Sequence, residues 1–186
     1  MISSSLLENA TLRPISRAEY ERMVELGMFV DERVELLYGA IVQMGPIGAP
    51  HNATLQRLNR LMVLAAGERA WVRIQSSFAA SDGSEPEPDV AVVPPGEYDD
   101  ANPTEAWLIV EVADTSLEVD RGVKAKLYAE CSVPEYWVVN LVDGIIEVHT
   151  EPVRGAYARV TPHRKGSAIR LQALADVDLA VADILR

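Results

Sequence analysis

A single cysteine, Cys131, is the whole thiol complement of the 186-residue chain. That excludes an internal disulfide and a cysteine-built zinc site. Aromatic residues are scarce at 6%. Trp107, Trp137 and Tyr136 read as core or interface residues rather than platforms for stacked bases. No apolar run approaches the roughly 20 residues that cross a bilayer. The opening stretch MISSSLLENATLRPIS has neither the basic start nor the apolar run of a signal peptide, so the expected location is cytoplasmic, with no membrane contact.

The most informative absence is local. Of 28 Asp and Glu residues, 12 lie between Ile74 and Asp120, a segment without Lys or Arg, which leaves 16 acids against 17 basic residues elsewhere. A net charge of −11 argues against a protein that simply coats nucleic acid. Positive charge gathers instead over 52–73, where Arg57, Arg60, Arg69 and Arg73 face only Glu68.

The length and the 48% hydrophobic content suit one globular domain over 15–186, after a tail at 1–14. Ser16 and Glu19 have capping-box spacing and open a helix to about Gly27. VELLYGAIVQM reads as a tight hairpin around Tyr38-Gly39, and 51–66 as a helix. WVRIQSSF, DVAVV and AWLIVEV read as strands, the last buried on both faces. A second amphipathic helix spans 117–130. EYWVVNL and GIIEVHT form another hairpin, and AYARVT and AIRLQ add strands at one edge. The fold class is α+β: a central mixed β-sheet with helices packed on it and additional hairpins.

Three carboxylates fall in apolar surroundings: Glu35 in the first hairpin, Asp89 at the head of a buried strand, and Glu111 inside LIVEV. A buried carboxylate is costly unless something positive meets it. Glu35 also suits an exposed hairpin edge, and Asp89 a turn cap after Pro88. Together at strand ends, hard carboxylate oxygens suit Mg²⁺ or Mn²⁺, and a phosphodiester is then a natural substrate.

SEPEPDVAVV followed by LIVEVADTSLEVDRGVKAKLYAECSVPEYWVVNL resembles the Uma-two restriction-endonuclease family of the PD-(D/E)XK nuclease superfamily. The likeness runs from ERVELLYGAIVQMGPIGAPH to VDLAVADIL. It implies a restriction-endonuclease-like core and Mg²⁺-dependent hydrolysis of DNA. Asp89 and Glu111 match the metal-binding acids, and Glu35 the N-terminal acid, expected to help through a second metal, water or the fold. The superfamily's usual lysine position, two residues after Glu111, holds Ala113. Lys124 of the following helix matches the family's lysine, although i, i+4 pairing with Asp120 or Tyr128 also explains it. Lys126 is its neighbour on another helix face. His51 and Gln75 match accessory positions. The four arginines are expected to line a cleft rim for DNA, and a homodimer would offset the acidic charge by presenting two such rims. Two other readings stay open: a non-catalytic binding module on the same fold, and a metal-dependent hydrolase of small phosphorylated molecules.

Overall fold

The computed structural model describes residues 12–186. All but 12–14 of the expected tail lies outside the described residues. Ser16 caps helix α1 (Arg17–Glu25) reciprocally: its hydroxyl accepts from the Glu19 N–H, and the Glu19 carboxylate accepts from the Ser16 N–H. Strands β1 (Val34–Leu37) and β2 (Ala40–Gln43) form the expected hairpin. Its two turn residues, Tyr38 and Gly39, both have positive φ (49° and 79°), the twist that suits a two-residue hairpin loop. Pro50 lies in the first turn of α2 (Ala49–Ala66), where its missing N–H costs nothing.

The central sheet comprises β3 (Trp71–Ile74), β4 (Val90–Val93), β5 (Leu108–Ala113), β6 (Glu135–Asn140), β7 (Ile145–Val153) and β8 (Ala156–His163), hydrogen-bonded in that order. Only β5 and β6 run parallel. A parallel pair needs a crossover, and the segment between them supplies it: α3 (Leu117–Val119), a π-helical turn (Asp120–Lys124) and α4 (Ala125–Glu130). β9 (Ala168–Arg170), β10 (Asp178–Ala180) and α5 (Val181–Ile184) complete the described chain.

Alternation along β5 divides the core. Leu108, Val110 and Val112 pack with Leu55, Leu58 and Met62 of α2 and with Ile184 of α5. Ile109 and Ala113 pack on the other face with Ala125 and Tyr128 of α4 and with Tyr136 and Val138 of β6. Glu111 shares this second face, which directs its carboxylate towards the crossover.

Two sequence expectations need correction. The strand expected over WVRIQSSF stops at Ile74, because Gln75 adopts φ 44° and breaks the pleat. AIRLQ does not extend the sheet edge; β9 pairs with β10 in a separate two-stranded ribbon. Its partner lies in a segment with no clear alternation.

Gly39 is fixed twice over, since an added Cβ would lie 2.4 Å from Pro14 Cβ and φ is positive. Gly39→Ala is expected to cost about 2 kcal/mol, seen as a lower denaturant midpoint at unchanged slope. An unchanged midpoint would mean that this turn does not hold the segment before α1 in place.

Candidate active site

The end of β5 opens into a cavity of about 370 Å³, lined by Glu35, His51, Asp89, Glu111, Asp120 and Lys124 among others. Each comes from a different local cause. Glu111 is the in-facing residue of its strand on the crossover side. Asp89 precedes β4, whose antiparallel register with β5 sets Val90 beside Val110 and so brings Asp89 to Glu111. The Asp89 N–H lies 3.4 Å from Glu111 Oε2, and Asp89 Oδ2 accepts from the Val112 N–H at 2.8 Å. Glu35 reaches the cavity from β1, where Leu36 bridges to Glu85. Lys124 closes the π turn.

Lys124 Nζ lies 3.0 Å from both Glu35 Oε2 and Glu111 Oε1. Tyr128 donates its hydroxyl to the same Glu111 oxygen at 2.8 Å. Lys126 points away, with its side chain 61% exposed beside Glu130. His51 Nε2 lies 3.0 Å from Asp89 Oδ2, and Gln75 donates to Asp89 Oδ1 at 3.2 Å. Glu35, Asp89, Glu111, Lys124, His51 and Gln75 therefore converge, and all but Gln75 line the cavity.

The arginines do not. Arg57 donates to the Ile184 carbonyl and to Thr54, and Arg69 pairs with Asp176. Arg73 donates to Asn102 and lies over the Tyr98 ring; Arg60 is exposed. None of the four lines the cavity, whose one arginine is Arg33. Trp137 is fully buried, so it offers no contact surface.

Asp120 is the residue that sequence reading undervalued. It is buried at the cavity wall, and its carboxylate accepts from Ser116 Oγ at 2.6 Å. The signal was present: Asp120, Lys124 and Tyr128 recur every fourth residue, a stripe of polar groups on the buried side of a helix. The π turn is anchored from the sheet. The Asp120 carbonyl accepts from both the Ala125 N–H and the Tyr136 hydroxyl.

Asp89 and Glu111 fit a divalent ion on donor chemistry. Mg²⁺ takes one or two carboxylates and completes its shell with water and substrate oxygens. Glu111 Oε1 is occupied by Lys124 and Tyr128, which leaves Oε2 on the Asp89 side. Among the described residues no three His, Cys, Asp or Glu side chains group as a closed metal cluster. The residues suit an open, two-carboxylate site.

Burial pushes Glu111 up to about 8, with Lys124 opposing and Asp120, Asp89 and Glu35 adding to the rise. A raised folded-state value means that the native state binds the proton more tightly than the unfolded chain. The resulting stabilisation is full below the ordinary value of 4.5 and is lost as pH rises through about 8. The stability of the metal-free protein relative to Glu111→Gln should therefore fall steadily from pH 5 to 8. The difference between the two proteins cancels His149 and His163, whose lowered values act in the opposite direction. Thermal melts of both proteins across that range provide the check, and a rising difference contradicts the assignment.

The sequence profile of the Uma2 family, described as "Putative restriction endonuclease", matches residues 17–182. No curated protein matches. In fold the chain is similar to a crystal structure from Anabaena variabilis ATCC 29413, described as "a putative nuclease belonging to DUF820". The two are 13% identical, the match covers 92% of this chain and 97% of that one, and the TM-score is 0.73.

Proposed function

The chain belongs to the Uma2 family of restriction-endonuclease-like proteins, and from that premise we propose that its cavity hydrolyses phosphodiester bonds of DNA with Mg²⁺ or Mn²⁺. The observation that carries this reading is the meeting of Glu35, Asp89, Glu111 and Lys124 at one cavity. Asp89 and Glu111 would hold the ion. When bound, it supplies a Lewis acid that activates water and offsets charge building on the phosphate. His51 and Gln75 orient the Asp89 carboxylate through both its oxygens. Lys124 is held where its ammonium can steady the attacking water or the phosphate's developing charge. Its long stem lets a helix serve as the platform. Glu35 keeps that ammonium in place. Arg33, exposed at the rim, is the cation available to a backbone phosphate.

In a nicking assay on supercoiled plasmid with Mg²⁺ or Mn²⁺, Asp89→Asn, Glu111→Gln and Lys124→Ala should each lose at least about a hundredfold in rate. Lys126→Ala should match the native rate. Equal losses at both lysines would reduce the helix to a general source of charge.

A second reading, hydrolysis of small phosphorylated molecules, draws on depth. The four central groups are between 4% and 8% exposed, and the cavity volume is that of a small-molecule pocket. Residues 43–48 form part of its wall. Turnover of a small phosphodiester without plasmid nicking would favour this alternative.

We also propose a homodimer, formed along β8. That strand is one of the sheet's two edge strands, and Val160, together with Val153 opposite its start, is at least half exposed. Light scattering should give twice the monomer mass, and Val160→Lys should halve it. A monomeric native protein removes this part of the reading.

A further inference from the structure

A second cavity, of about 490 Å³, is lined by α1 together with Ser77, Glu85, Glu87 and residues 100–102. Its walls carry Glu21, Glu25, Glu85, Glu87 and Asp100 against one cation, Arg17. Arg17 pairs with Glu21 through Nη1 at 2.7 Å, while its Nε is buried without a hydrogen-bond partner. Glu85 is 4% exposed. Its Oε1 accepts from Asn102 Nδ2 at 3.2 Å, and its Oε2 is buried without a hydrogen-bond partner. Leaving a buried carboxylate oxygen unsatisfied costs far more than an ordinary hydrogen bond returns. The residues that surround it belong to the cavity wall.

We propose that this cavity binds an organic cation with N–H donors, an alkylguanidinium or alkylammonium group, through Glu85 and the acidic face of α1. The alternative of a bare metal ion fits poorly. Of the five acids here only Glu85 is buried, whereas the first cavity brings two buried carboxylates, Asp89 and Glu111, together. The Asn102 side-chain oxygen, a neutral ligand atom in the wall, already accepts from Arg73 at 3.1 Å. A guanidinium or ammonium needs no such tight grouping. Its separate N–H groups reach separate carboxylates, and its alkyl portion fits beside Tyr20 and Val24, which also line the space. Arg17 shows the same pairing chemistry at the rim. Burial holds Glu85 above the ordinary carboxylate range, with Ser77 and Arg17 opposing and Glu21 adding to the rise. A bound cation would relieve that.

Titration calorimetry of the full chain with agmatine, and separately with a blocked arginine dipeptide, tests the site at constant ionic strength. Saturable one-site binding is expected, weakened at least about tenfold in Glu85→Gln. Glu21→Gln is the second variant, placed on the outer wall, where it should also weaken binding without disturbing the core. Binding of free agmatine identifies a small soluble cation. Binding confined to the peptide identifies an arginine side chain of a protein partner. The proposal is overturned if neither probe saturates, if both variants bind as the native chain does, or if sodium chloride reproduces the response.

Discussion

The ammonium of Lys124 is held out of water between the carboxylates of Glu35 and Glu111, and this three-way contact ties β1, β5 and the crossover to one point. Each charge taken from water costs several kcal/mol, and the attraction repays that only when the partners are close and their remaining hydrogen bonds are met. Here the contacts are close, and the Glu87 N–H and the Tyr128 hydroxyl donate to the same Glu35 and Glu111 oxygens that Lys124 meets. Burial alone would lower the Lys124 value, but Glu111, Glu35 and Asp120 outweigh it and keep the lysine charged. The first hairpin is otherwise held by hydrogen bonds to the segment before β4 and to α4. These are the Leu36–Glu85 bridge, the Tyr38 N–H to Ser84, the Gly39 N–H to the Gly83 carbonyl, and the Tyr38 hydroxyl to Glu130. The geometry of the cavity is therefore set by electrostatics acting across elements that share little apolar packing.

Legibility in the sequence followed the range of the interaction. Glu111 declared itself because a carboxylate inside LIVEVA has no inexpensive explanation. The Tyr38-Gly39 hairpin and the Ser16 capping box are local and were readable directly. Lys124 could be separated from Lys126 only by resemblance, since both lie on one short amphipathic segment. The arginines of 57–73 misled because a run of positive charge says nothing about distant acceptors. The Ile184 carbonyl and Asp176 that occupy Arg57 and Arg69 lie more than a hundred residues away in sequence. The pairing of β9 with β10 was hidden for the same reason, as three-residue strands carry too little pattern to announce a partner.

The concentrated acidity also takes a definite form. Residues 86–88 belong to no strand and the chain bends at Asp89, with Pro86 and Pro88 buried. Glu85 and Glu87 turn into one cavity, while Asp89 turns into the other. The Glu87 N–H meanwhile donates to Glu35 Oε2 at 3.2 Å. One five-residue stretch thus forms the wall between two acidic spaces, and a shift in its backbone is felt in both.

The π turn at Asp120–Lys124 adds about one residue to what would otherwise be a continuous helix. The segments on its two sides are therefore out of phase by roughly 100°. Homologous chains compared through this region face a bookkeeping problem that has nothing to do with similarity. If a relative has an unbroken helix here, an ungapped alignment matches letters whose side chains occupy different places from Ala125 onward. The correct alignment opens a single-position gap inside a well-formed helix, where scoring schemes penalise gaps most. Across a family with such a turn, positional equivalence on the crossover is better settled by superposed backbones than by residue identity.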